Sequence, residues 1–109
     1  MTLPLPKPIE LFMSSENTHD LEALADCFAA HATVRDEGQT IDGLEAIKTW
    51  RLETGKKYRH IVEPVAVTAR DGKTVVSTKL TGDFPGSPTT LDFVFKLENA
   101  KIAALEIQS

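Results

Sequence analysis

From Leu91 to Leu97 the chain alternates without interruption. Leu91, Phe93, Phe95 and Leu97 fall on one side of an extended strand, and Asp92, Val94 and Lys96 on the other. Successive side chains of a strand point to opposite faces, so this segment builds one apolar sheet face that another layer has to cover. Its neighbours extend the pattern. Tyr58 to Arg70 reads as a long strand, broken or bulged at Pro64, because proline has no N–H for a ladder. Asp71-Gly72 is a strong hairpin signal and leads into a strand from Thr74 to Thr81. Gly82 to Pro88 is dense in turn formers. Glu98-Asn99-Ala100 turns the chain into a last strand, Lys101 to Ile107, anchored by Ile102 and Leu105.

The covering layer comes from the residues that precede the meander. Pro8 suits a first helical turn, where its missing N–H is not needed. Ile9, Phe12 and Met13 follow at helical spacing, so the pattern predicts a helix from Pro8 to Glu16. Asn17-Thr18-His19 is a turn. Asp20 is placed to cap a second helix, running to Ala29, with Leu21, Leu24, Ala25 and Phe28 on one face. Residues 31–36 read as a strand, Gly38 as a turn, and Gln39-Thr40-Ile41 as a short returning strand. Asp42-Gly43-Leu44-Glu45 has the form of a capping box, opening a third helix whose Leu44, Ile47 and Trp50 point inward and which Gly55 ends. Helices first and strands after give the α+β class, with the helices on one sheet face. No repeat, low-complexity tract or linker divides the chain, so residues 1–109 form a single domain.

Composition narrows the function. Hydrophobic residues make up 41% of the chain, enough for a folded core and against disorder. A core of this size is small, and dimerisation would add to its stability. The net charge is -4, with both signs dispersed, so no basic stripe marks a nucleic-acid partner. One cysteine, Cys27, excludes an internal disulfide and a cysteine-cluster metal site. It neighbours Leu24 and Phe28, which points to a buried, unreactive thiol. His19, His31 and His60 have no metal-ligand spacing; no metal and no cofactor are expected. Met1 to Pro8 does not read as a secretory signal, and no stretch has the length of a membrane span. A cytoplasmic protein without a membrane partner is the expectation. Gly86-Ser87 lacks the strand-turn-helix context of a nucleophile elbow; the loop around it reads as a rigid turn.

The order and spacing of these pieces resemble the nuclear-transport-factor-2-like fold, and within it the SnoaL-like group, which is related in fold to ketosteroid isomerase. The resemblance covers nearly the whole chain. It is carried by the apolar stripe of the first helix, Asn17 followed by Asp20-Leu21-Glu22-Ala23-Leu24, Phe28-Ala29, and His31-Ala32-Thr33-Val34. Gly43 with Ala46-Ile47 and Trp50, and the alternating strand before Lys101-Ile102, complete it. The resemblance implies a cone: about three N-terminal helices packed on a curved, mainly antiparallel sheet. It also implies a ligand-sized pocket at the open end and a homodimer through the outer sheet face. It does not single out an activity, since this fold hosts isomerases, cyclases, dehydratases, epoxide hydrolases and non-enzymatic association domains.

Asp36, in the segment Ala32-Thr33-Val34-Arg35-Asp36, is the leading candidate for chemistry. It is a carboxylate at the end of a short apolar strand, and such a group in apolar surroundings suits a general base. The resemblance aligns it with the base of ketosteroid isomerase. That enzyme adds an oxyanion hole built from a tyrosine and a protonated aspartate. The matching positions here are Phe12, which has no donor, and, by alternation, Phe93, with Asp92 turned to the opposite face. The ordinary alternative for Asp36 is a turn acceptor or a partner of Arg35 or a lysine. Tyr58, His60 and Val62 share one strand face. On the concave face, Tyr58 and His60 would reach toward Asp36 as proton shuttle and helper. On the outer face, the ordinary reading, they would lie in a dimer interface or in solvent. Phe12, Phe28, Trp50, Phe84 and Phe93 are the candidate apolar walls for a small hydrophobic ligand. Two functions follow. One is a cofactor-independent isomerase, cyclase or hydrolase using Asp36, His60 and Tyr58. The other is a non-catalytic ligand-binding or dimeric association domain.

Overall fold

The alternating segment is strand β5 (Thr89–Glu98) in a computed structural model that describes residues 5–18, 20–36, 38–57, 60–83 and 85–108, with backbone alone over 54–57. Phe93 and Phe95 are buried and Lys96 is exposed, so one face of β5 is the core face. The other elements, in chain order, are helices α1 (Lys7–Thr18) and α2 (Leu21–Cys27), strands β1 (Phe28–Asp36) and β2 (Gln39–Asp42), and helix α3 (Leu44–Lys57). Strands β3 (His60–Arg70), β4 (Lys73–Gly82) and β6 (Lys101–Gln108) complete the set. The strands form one curved sheet in the order β2-β1-β6-β5-β4-β3. It is antiparallel except for β1 against β6, which run parallel. The helices pack on one face, and the fold is α+β.

The hairpin between β3 and β4 turns at Asp71 (φ 52°) and Gly72 (φ 76°). Two successive left-handed residues match the twist of the flanking strands, which explains the Asp-Gly signal. β3 is an edge strand with its register shifted between Pro64 and Ala66, the bulge that Pro64 implies. The free edge is partly covered by α1. The Asn17 Nδ2 donates to the Val62 carbonyl (3.1 Å), and the Val62 amide donates to the Asn17 Oδ1 (2.8 Å). Two residues on, Pro64 has no N–H to leave open. Both features blunt an edge that would otherwise template pairing with another chain.

Four sequence-based boundaries move. α1 runs on to Thr18, so Asn17 and Thr18 belong to the helix and not to a turn. α2 ends at Cys27, and β1 begins at Phe28 (φ -102°, ψ 145°) rather than after Ala29. The alanines favour helix, but pairing of Phe28 with Ile102 of β6 overrides that local preference. Asp42 is not the cap of α3. It belongs to β2, paired with Thr33. Gly43 (φ 89°) makes the turn, and its carbonyl accepts the Ile47 amide at 3.0 Å. Gly55 does not end α3, which continues to Lys57; glycine weakens a helix interior by about 1 kcal/mol without stopping it. The cap at Asp20 is as expected, its Oδ1 accepting from the Glu22 and Ala23 amides at 3.1 Å each.

The core lies between the helices and the concave face. Ile9, Phe12 and Met13 of α1 meet Phe93 and Phe95 of β5 and Leu105 of β6 in one buried cluster. Phe12 is the hub, with ring centroids 5.8 Å from Phe28, 6.1 Å from Phe93 and 5.6 Å from Phe95.

Candidate functional site

Strand parity and register place the two principal candidates. Ala32 and Val34 of β1 are buried in the core, and Asp36, two residues further on, shares their face and is half-buried. Arg35 points to the opposite face, where it lies 3.9 Å from Glu106. On β3, Val62 is buried in the core cluster while Ile61 and Glu63 are exposed. His60 therefore faces inward, and its ring lies against α1. The outer-face reading of His60 is corrected: the parity of β3 is set by Val62 entering the core and by Asn17 holding that strand to the helix. Pairing carries Arg35 across to Glu106, Asp92 to Gln108, Leu80 to Thr89 and Gly82 to His60. Asp36 and His60 consequently stand at the same end of the concave face, with β6, β5 and β4 between their strands. At that end Leu80, Leu91 and Ile107 share the concave face and are half-buried against the core.

His60 is not alone. Its Nε2 lies 3.5 Å from the Glu16 Oε2, and the Arg51 Nε lies 2.7 Å from the same oxygen. The Arg51 Nη2 also donates to the Glu16 main-chain carbonyl at 3.0 Å, satisfying one of the last carbonyls of α1. Side-chain exposure is 5% for Glu16, 4% for Arg51 and 13% for His60, so the carboxylate and guanidinium are dry and only the imidazole reaches solvent. The Arg51–Glu16 contact is close but departs from the in-line geometry of a hydrogen bond. Removing two charges from water is costly, and a buried pair is retained where both partners stay in place. The trio joins α1, α3 and β3.

Glu16 and Arg51 had a sequence signal. Glu16 stands at the fourth place of the stripe Ile9, Phe12, Met13, and Arg51 extends the stripe Leu44, Ile47. A charge on the buried face of a helix is expensive, and opposite charges on two such faces mark a pair.

Of the proposed apolar walls, Phe12, Phe28 and Phe93 are buried and packed on one another, and Trp50 is half-buried against the core. Phe84, Tyr58 and His19 lie outside the described residues. His31 is exposed. Burial pushes the Cys27 thiol up to about 12, and its Sγ donates to the Leu24 carbonyl at 3.0 Å; a thiol so held is no nucleophile near neutral pH. Asp92 lies on the opposite face from Phe93, accepting from the Ser77 hydroxyl at 3.0 Å. Among the described residues, no group of three His, Cys, Asp or Glu could hold a metal ion, and no helix is long and apolar enough to cross a membrane.

A helical layer on the concave face of a curved sheet, with ionisable residues at one end of that face, defines an α+β protein of the nuclear-transport-factor-2-like class. Residues 9–105 match the SnoaL-like domain, and the chain belongs to that family. It is similar to a polyketide-cyclase candidate from Sinorhizobium meliloti, with 36% identity, 95% of each chain covered and a TM-score of 0.91. A protein of ketosteroid isomerase-like fold from Catenulispora acidiphila, solved with trimethylamine, shares the fold at 19% identity and TM-score 0.82, over 95% of this chain and 85% of that one. An epoxide hydrolase from Mycobacterium tuberculosis shares it at 11% identity and TM-score 0.77, over 94% and 79%. No curated protein matches the sequence.

Proposed function

We propose that this chain is a cofactor-independent acid–base enzyme, an isomerase, cyclase or hydrolase, acting on a small hydrophobic, oxygenated molecule. Asp36 is the general base, with His60 as proton shuttle and Tyr58 as a further helper. The observation that carries the reading is the placement of Asp36 and His60 on the concave face at the same end of the sheet. Half-buried Leu80, Leu91 and Ile107 there, with Trp50, suit an apolar substrate and would exclude water from its reacting centre. The likeness to a polyketide-cyclase candidate over 95% of both chains supports an oxygenated, polyketide-like molecule as the ligand. Steroid-type enolisation fits poorly, because Phe12 stands where the oxyanion donor would and packs against Phe28, Phe93 and Phe95. The protein acts as a cytoplasmic homodimer joined through the outer sheet face, where Ile61 is 63% and Val65 49% exposed.

The test is a screen of apolar carbonyl and epoxide compounds against the wild type, Asp36→Asn and His60→Gln. Turnover lost at least tenfold in both variants, with folding intact, is the expected result. Compounds that bind equally to all three forms, with no turnover in any, would leave a ligand-binding or association domain. The packing of Phe12, Phe28 and Phe93 into the core favours that second reading.

A further inference from the structure

The Glu16–Arg51 pair has no part in the chemistry derived so far, yet it places a buried carboxylate against one nitrogen of the candidate shuttle. We propose that Glu16 is a positioning residue for His60: it holds the neutral ring with its proton on Nε2 and leaves Nδ1 as the ring's acceptor, while Arg51 supplies the counter-charge to the carboxylate. The inference rests on the reading that His60 serves the site.

The argument is electrostatic and geometric. A neutral imidazole has one N–H and one lone pair, and the partner of one nitrogen decides the role of the other. Two lone pairs facing each other at 3.5 Å repel, whereas an N–H aimed at the carboxylate is attracted, so the proton resides on Nε2. Low exposure strengthens that preference, because little water screens it. Glu16 could not do this alone, since an uncompensated buried carboxylate is strongly disfavoured. Arg51, at 2.7 Å and fixed to the same residue's carbonyl, provides the compensation. In the reaction, Asp36 takes a proton from the ligand, the bond's electrons stay on the ligand, and Nδ1 accepts the relayed proton. The resulting imidazolium sits beside Glu16 until the proton returns to the ligand at another atom.

The experiment is nitrogen-resolved magnetic resonance of the full chain labelled at histidine, near neutral pH, with His60→Gln to assign the signals. The wild type should show a ring N–H on Nε2 of His60 that is protected from solvent exchange. Glu16→Gln removes the charge that faces the buried Arg51, which threatens folding. The double variant Glu16→Leu with Arg51→Met leaves no orphaned charge and serves in its place. In the double variant the protected Nε2–H signal should be lost while the carbon-bound ring protons of His60 keep their folded-state dispersion. A wild-type proton on Nδ1, no protected ring N–H, or a protected Nε2–H unchanged in the double variant would each overturn the proposal. None of these readouts needs a substrate. The turnover comparison of His60→Gln judges the catalytic reading separately.

Discussion

Two adjacent turns of α1 solve the burial problem in opposite ways. The turn carrying Ile9, Phe12 and Met13 buries an apolar face that meets aromatic rings of β1 and β5. The next turn carries Ser15, Glu16 and Asn17, and each makes a directed polar contact: with the Phe12 carbonyl, with Arg51 and His60, and with the Val62 backbone. Apolar packing rewards contact from many directions, so it fixes the helix's distance from the sheet more firmly than its rotation. The polar turn needs particular atoms at particular angles. It therefore sets how α1, α3 and β3 sit relative to one another, and with them the place of His60.

The contrast is open to direct attack by mutation, read as the denaturant midpoint at unchanged slope. Two substitutions should be the most costly. Phe12→Ala removes the hub of the aromatic cluster and should cost about 3–5 kcal/mol. Glu16→Ala removes the carboxylate beside the buried Arg51 and should cost a similar ~3–5 kcal/mol. The two differ in how they are rescued. Adding Arg51→Met should restore most of the loss at Glu16, since no charge is then left unpaired, but should do nothing for Phe12→Ala. If the rescue fails, the polar turn contributes as packing and the distinction between the two turns collapses. Phe12→Tyr comes next. It sets a hydroxyl among phenyl rings and should cost roughly 1–3 kcal/mol; a neutral result would show water or a polar partner within reach of that position. Asn17→Ala should follow at about 1–2 kcal/mol, the net worth of two hydrogen bonds to the edge strand. Arg35→Ala should have the smallest effect, within about 0.5 kcal/mol, because its ion pair with Glu106 is exposed.

The elements with a strong local code were legible in the sequence. Strict alternation marks β5, and Asp71-Gly72 marks the β3–β4 hairpin because that turn demands two left-handed residues. The end of α2 was not legible, since the extended conformation of Phe28 is imposed by Ile102, which is remote along the chain. For the candidate site, the positions of Asp36 and His60 at strand ends could be read from pattern. The face taken by His60 could not, because Tyr58, His60 and Val62 have no partner parity of their own until α1 docks. Glu16 and Arg51 were passed over for a related reason. Each falls on the apolar stripe of its own helix, a signal that stays ambiguous until their meeting across two helices makes them a buried pair.

The parallel pairing of β1 with β6 has a consequence for how the chain assembles. Among the described residues, β6 links the β2–β1 pair to the β3–β4–β5 meander in the sheet. During synthesis those two pieces remain separate sheets, each with an unfilled edge, until residues 101–108 leave the ribosome. The meander, with its local hairpins, is able to form early, whereas closing the sheet waits for the last strand and for contacts that span most of the sequence. A chain stalled before Lys101 would therefore expose two unpaired edges, at β1 and at β5, each a template for pairing with another chain.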